Sequence, residues 1–212
     1  MTTIKNKIVI VDYGMGNIGS IVNSLDLLDG NYFISNKSSD LKKASAFILP
    51  GVGAFGTAMQ NIKALGIMET LSHQVLNLKK PFFGICLGMQ LIAKDSSELG
   101  YNKGLGWIDG NVVFLETKKL HVPHVGWNNV EIVKESPIFN NVDNFSHFYF
   151  DHSFHLQCDE DIVIGLHDYG FKQISAIQKE NIFATQYHPE KSQRNGLKML
   201  RNFLNYVDYK NK

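Results

Sequence analysis

The chain has 212 residues, 21 Lys and Arg against 20 Asp and Glu, a net charge of +1, and 44% hydrophobic residues. That size suits one domain spanning 1–212, and the balanced charge excludes the basic footprint of a nucleic-acid-binding protein. No apolar run approaches the roughly 18 residues of a membrane span, Ile8-Val9-Ile10-Val11 is too short for a signal-peptide core, and Cys86 and Cys158 are too few for a disulfide framework, so a reduced cytoplasmic protein is expected.

Lys7 to Asp12 predicts a fully buried first strand, with the glycines at 14, 16 and 19 making a turn after it. Ile18, Ile21, Val22, Leu25 and Leu28 then recur at helical spacing until Gly30 stops the helix. Ala46-Phe47-Ile48-Leu49 is a second buried strand, ending on the loop Pro50-Gly51-Val52-Gly53. A helical stretch follows from Gly56 to Leu78, broken near Gly66. Pro81 to Ile85 forms the strand feeding Cys86, and Leu87 to Ala93 opens the next helix. From Gly104 onward, strand-like runs at 111–115, 129–133, 147–150, 162–167, 174–178 and 182–186 arrive with turns and no long helix between them. Gly196 to Tyr206 closes the chain as an amphipathic helix with Leu197, Leu200, Phe203 and Leu204 on one face. This order predicts an α/β fold: an open, mostly parallel central sheet flanked by helices, with an antiparallel extension.

The chemistry concentrates at Phe83-Gly84-Ile85-Cys86-Leu87-Gly88-Met89-Gln90. An apolar run, a cysteine flanked by glycines and a helix-forming stretch describe a sharp strand-to-helix turn that exposes a nucleophile above the end of a sheet. Thiolate is the attacking species, and both a helix N-terminus and a nearby imidazole favour the anion. His188-Pro189-Glu190 follows the last predicted strand, so His188 stands at a strand's C-terminal end, where ligands gather in open α/β sheets. Glu190 is positioned to hold one ring nitrogen so that the other faces sulfur. Cys86, His188 and Glu190 together predict an enzyme working through a covalent acyl-thioester. The Leu87 N–H is the natural first donor to the oxyanion. The Gly51-Val52-Gly53 loop can bring a second, because glycine lets a peptide turn its N–H inward at little steric cost. Cys158 has no comparable context.

Two other patterns are weaker. His121 and His124 form one H-x-x-H and His152 and His155 another, but on strands or loops that spacing does not bring two imidazoles together. No cysteine or carboxylate cluster completes a zinc set, so no metal is expected. Gly14-Met15-Gly16-Asn17-Ile18-Gly19 matches a dinucleotide fingerprint, yet Ser38-Ser39-Asp40 supplies no convincing acidic residue ending a second strand about 20 residues on, and no cofactor is expected.

Through Gly84-Ile85-Cys86-Leu87-Gly88-Met89-Gln90 and His188-Pro189-Glu190 the chain resembles class I (triad) glutamine amidotransferase domains, which have a flavodoxin-like α/β fold. Asp12-Tyr13-Gly14-Met15-Gly16-Asn17, Pro50-Gly51-Val52-Gly53-Ala54-Phe55, Pro123-His124-Val125-Gly126-Trp127-Asn128 and Gln186-Tyr187-His188-Pro189-Glu190-Lys191-Ser192 narrow the resemblance to the glutaminase subunits of imidazole glycerol phosphate synthases. It covers nearly the whole chain. The resemblance implies that Cys86 attacks glutamine, that His188 acts as acid and base, and that Glu190 orients it, with Gly53, Gln90 and Ser153 lining the glutamine pocket. It further implies a heterodimer with a (β/α)8 cyclase subunit, which receives the ammonia for imidazole glycerol phosphate formation in histidine biosynthesis. Asn17, Trp127, Tyr149 and Lys191 match positions facing that partner. Asp151 stands where an apolar residue is common and Val125 where Met is common. Those departures admit a paralogue whose barrel partner aminates another acceptor, such as a sugar in surface-glycan synthesis. A stand-alone cysteine hydrolase is the remaining alternative, and it would leave Gln90 and Lys191-Ser192 without an evident task.

Overall fold

The computed structural model describes residues 7–118, 120–158 and 160–211. In chain order the first half contains β1 (Ile8–Val11), α1 (Ile18–Leu27), β2 (Tyr32–Ser35), α2 (Ser38–Lys43), β3 (Ala46–Leu49), α3 (Phe55–Ala64), α4 (Met68–Ser72), β4 (Phe82–Ile85), α5 (Leu87–Leu91), β5 (Ala93–Ser96) and β6 (Asn102–Lys103). The second half contains β7 (Ile108–Phe114), β8 (His124–Ile132), β9 (Ser146–His152), β10 (Phe154–Cys158), β11 (Val163–Asp168), β12 (Lys172–Lys179), β13 (Ile182–Thr185) and α6 (Gln193–Lys210).

Nine strands form one sheet in the order β2-β1-β3-β4-β13-β12-β11-β8-β9. The run from β2 to β13 is parallel, and every pairing from β13 to β9 is antiparallel. The expected parallel sheet with an antiparallel extension is therefore present. β1, β3, β4 and β13 are buried at every residue, which is why they read as unbroken apolar runs rather than alternating ones.

Successive side chains on these strands feed two cores on opposite faces. Val9, Val11, Phe47, Leu49 and Phe82 pack with Ile62 of α3 and Leu71 of α4. Ile8, Ile10, Ile48 and Phe83 pack on the other side with Ile21 and Leu25 of α1 and Leu200 and Phe203 of α6. No helix among the described residues is long and apolar enough to cross a membrane.

Three features differ from expectation. A second, four-stranded sheet, β10-β7-β5-β6, stands apart from the extension and covers the first core with Trp107, Ile108, Val112 and Leu156. The helix after Cys86 ends at Leu91, because Ala93 pairs with Ile108 and pulls the chain into β5. The segment expected as one broken helix is α3, a break at Gly66 with φ of +64°, α4, and a π-helical turn His73–Asn77. Strand β2 and helix α2 carry too little apolar pattern to have been foreseen: Ile34, for example, is 47% exposed.

Candidate active site

Cys86 sits between β4 and α5 with φ of 51° and ψ of −107°, a conformation that costs energy for any residue bearing a Cβ. Its N–H is held by the Thr185 carbonyl at 2.7 Å, tying the turn to β13. The flanking glycines are explained by close backbone approach. A Cβ at Gly84 would lie 2.8 Å from the Gly88 carbonyl oxygen, and one at Gly88 would lie 1.8 Å from the Leu49 carbonyl oxygen. The glycine spacing read from the sequence thus lets α5 press against β3 and β4 and project the thiol from a fixed base. Sγ lies 3.7 Å from the Asp151 carbonyl oxygen and accepts a weak contact from Gln186 Nε2, also at 3.7 Å.

His188 follows β13, and the short 3-10 turn Pro189–Lys191 folds Glu190 back against it. His188 Nδ1–H donates to Glu190 Oε1 at 2.8 Å, and both side chains are 2% exposed. The backbone at His188 is locked as well. Its N–H donates to the Tyr149 carbonyl at 2.9 Å, while Ser192 Oγ donates to the His188 carbonyl and accepts from the Tyr149 N–H. His188 Nε2 and Glu190 Oε2 are buried with no hydrogen-bond partner.

Burial disfavours the charged imidazole, but the negative charge of Cys86 and the Glu190 carboxylate outweigh it and raise His188 to about 10. A folded value above the unfolded one means that this stabilisation is complete below the ordinary His range and is lost as pH climbs toward about 10. The stability difference between the native chain and His188→Gln is therefore expected to shrink steadily from pH 7 to pH 10. Urea unfolding at both pH values checks this, and a difference independent of pH would remove the ion-pair account.

A cavity of about 390 Å³ opens beside Cys86, and Gly53, Gln90 and Ser153 line it, as do Glu98 and Asp151. Gln90 is held by its own amide, with Nε2 donating to the Phe154 carbonyl at 2.9 Å and to Gln186 Oε1 at 3.2 Å. Glu98 was not singled out from the sequence. Its Oε2 accepts from the Phe55 N–H at 2.7 Å, at the start of α3, which leaves a carboxylate on the cavity wall suited to an amino acid's ammonium group. No local signal marks it, because its partner lies on a remote segment.

The N–H groups expected to serve an oxyanion have partners inside the protein. The Leu87 N–H lies 3.4 Å from the Gly51 carbonyl, and the Val52 N–H donates to the Met15 carbonyl at 3.2 Å. Both donors are engaged within the protein, although Val52 and Leu87 line the cavity. The loop can approach this closely because Gly51 has no side chain: a Cβ there would fall 2.2 Å from Tyr13 Oη.

Of the residues matched to a partner-facing surface, three meet. Trp127, 47% exposed, stands edge-on to Tyr149 at 6.1 Å between ring centroids, and Lys191 Nζ lies 5.4 Å from the Tyr149 ring. Asn17 is exposed at the start of α1, where its side chain accepts from the Ser20 N–H, and Ser24 of the same helix reaches the Glu190 carbonyl at 3.5 Å. Histidines of different H-x-x-H pairs do come together. The β8–β9 register sets His124 directly opposite His152, and β11 adds His167.

A thiol on a strained strand-to-helix elbow, an imidazole paired with a buried carboxylate and a cavity over the sulfur define a triad cysteine amidohydrolase on a doubly wound sheet. The chain belongs to the glutamine amidotransferase class-I family, whose model matches residues 9–207. It is thus a glutamine amidotransferase. It is 48% identical over 198 residues to imidazole glycerol phosphate synthase subunit HisH 1 of Campylobacter jejuni (strain RM1221), covering 93% of this chain and 98% of that protein. It is 47% identical over 196 residues to imidazole glycerol phosphate synthase subunit HisH of Methanocaldococcus jannaschii, covering 92% and 97%. Among solved structures, PurLQS from Thermotoga maritima superposes with a TM-score of 0.75 at 18% identity, covering 96% of this chain and all of that one, a likeness of fold.

Proposed function

We propose that this chain is the glutaminase subunit of an imidazole glycerol phosphate synthase, acting in the cytoplasm as one catalytic unit and passing ammonia to a (β/α)8 cyclase partner in histidine biosynthesis. The relatives named above support the pathway. The observation that carries the dependence on a partner is that a cavity over Cys86 coexists with oxyanion donors held by the Gly51 and Met15 carbonyls. In the proposed reaction the Cys86 thiolate attacks the glutamine carboxamide and His188 protonates the departing ammonia. Water then attacks the thioester with His188 as base, releasing glutamate. Glu190 holds the imidazole, while Glu98 faces the substrate ammonium and Gln90 and Ser153 shape the wall. Developing negative charge on the substrate oxygen needs the Leu87 and Val52 N–H groups: rotation of the Gly51–Val52 peptide turns the Val52 N–H inward and carries the Gly51 carbonyl away from the Leu87 N–H, releasing it. Each donor gained this way is worth about 3 kcal/mol of transition-state stabilisation.

Trp127, Tyr149 and Lys191 form the face offered to the partner. Tyr149 is one backbone hydrogen bond from His188, so docking can bear on the triad through β9. Purified with a histidine-pathway barrel subunit, the chain is expected to release glutamate slowly until the barrel's nucleotide ligand is added, and then far faster. No complex and no stimulation, from a folded chain, would move the assignment to a paralogue with another barrel. Rapid hydrolysis by the isolated chain would instead favour a stand-alone hydrolase.

Within the triad, Glu190→Gln is expected to cost less than His188→Asn. The amide can still accept from Nδ1–H and hold the ring's orientation, whereas no group replaces the base; roughly a tenfold or greater gap is expected. Glutamate release by the stimulated complex measures both, and equal losses would contradict the assigned roles.

A further inference from the structure

Three imidazoles meet where β11, β8 and β9 lie side by side, and nothing in the glutaminase reaction uses all of them. His124, His152 and His167 each offer one ring nitrogen, and these atoms all lie within 4.8 Å of one another. The three residues are 3%, 5% and 1% exposed. His152 Nδ1–H donates to the Phe154 carbonyl at 2.9 Å, so Nε2 carries the lone pair, and that nitrogen is 3.1 Å from His124 Nδ1. His124 Nε2 has only a long contact, 3.4 Å, to Asn128 Nδ2. Both nitrogens of His167 are buried without a hydrogen-bond partner. A buried imidazole with neither nitrogen satisfied calls for an explanation, because such groups are nearly always paired with protein, water or an ion.

We propose that His124, His152 and His167 form a binding site for a zinc ion at the edge of the glutamine pocket. The ligand set is nitrogen-only, which suits zinc among late first-row divalent cations and does not suit calcium or magnesium, which require oxygen. Burial holds all three rings neutral near pH 7, as ligation demands, with His124 lowered to about 4, His152 to about 3 and His167 to about 2. The Phe154 carbonyl already selects the His152 tautomer that presents Nε2 to the cluster, the outer-shell arrangement usual for ligating histidines. On binding, His124 moves its Nδ1 proton to Nε2, giving up the long contact from Asn128 Nδ2, and the metal takes the place of that proton between the two rings. A tetrahedral zinc site separates its nitrogens by about 3.3 Å. To close that spacing His167 turns about its Cβ–Cγ bond, which breaks no hydrogen bond but shifts the ring against Phe150, 4.3 Å away between centroids, and out of its parallel stack with His124. Water completes the fourth position. His152 also lines the cavity beside Cys86, so a bound ion pins the wall from Asp151 to Phe154.

The test uses the full chain without a polyhistidine tag. After equilibration with Zn²⁺ and dialysis, metal per chain is measured by atomic emission, and Co²⁺ titration is followed by its visible d–d absorption. One zinc per chain is expected, with the intense bands of four-coordinate Co²⁺ and a raised melting temperature. His167→Asn is expected to weaken binding at least about 100-fold, while His121→Asn, at an exposed position outside the cluster, leaves it unchanged. Failure of the native chain to retain zinc, or Co²⁺ spectra of an octahedral, water-ligated ion, would overturn the proposal. So would undiminished binding by a folded His167→Asn. Should that variant not fold, the stoichiometry and Co²⁺ spectrum of the native chain decide.

Discussion

Cys86→Ala is expected to lower glutamate release by the stimulated complex on the order of 10⁵-fold or more, the scale seen when a covalent nucleophile is removed from a catalytic triad. Among the described residues no other thiol lines the cavity. Cys158 is the other cysteine of the chain, and it lies on β10 outside the lining of this cavity. The backbone of the elbow should survive the change. Apart from its pairing with His188, Sγ makes two weak polar contacts, both at 3.7 Å, and alanine keeps the Cβ that the φ of 51° already accommodates. The variant is expected to fold and to keep partner binding intact, with His188 losing the larger of the two charges that raise it. Cys86→Ser should behave similarly, since a hydroxyl beside His188 is a far poorer nucleophile in a site arranged for a thiolate–imidazolium pair. Retention of even one-hundredth of the native turnover by a metal-free preparation of either variant would sink the thioester mechanism.

Gly88→Ala is expected to destabilise the chain by about 3 kcal/mol or more, lowering the melting temperature by about 6–12 °C for a protein of this size. The added methyl would sit 1.8 Å from the Leu49 carbonyl oxygen and 2.9 Å from the carbon that bears it. Those are backbone atoms of a buried central strand, so no side chain can swing aside. Relief requires α5 to move off β3, and the elbow moves with it. A displacement of about 1 Å at the nucleophile costs on the order of 100-fold in rate, so activity should fall even in the folded fraction. Gly19→Ala is the control: a Cβ there meets nothing within 4 Å, and on a helix alanine is favoured over glycine by about 1 kcal/mol. Calorimetry on the two variants checks the argument. A Gly88→Ala protein melting within 2 °C of the native chain, at full activity, would show that the close approach of α5 is not required.

The glycines around Cys86 show how far local sequence can report tertiary structure. Their spacing was legible as a nucleophile turn because each marks a place where two backbones touch, and only glycine permits that contact. The apolar runs of β1, β3, β4 and β13 were legible for a related reason, since strands covered on both faces have no polar positions to confuse the pattern. By contrast β2 has partly exposed positions and α2 is only six residues long, so neither carries a periodic signal strong enough to read.

The sequence by itself determined the fold class, the elbow, the His188-Pro189-Glu190 turn and the sheet's division into parallel and antiparallel halves. Each of these depends on residues close together in the chain or on the burial of a single strand. Only the tertiary structure decided that Ala93 pairs with Ile108 in a strand, that Glu98 reaches the start of α3, and that the Gly51 and Met15 carbonyls hold the Leu87 and Val52 N–H groups. It alone set His124 opposite His152 and brought His167 alongside. The physical reason is common to all four. Strand register and loop packing bring together groups far apart in sequence, and no periodicity within either segment records which partner the other will supply.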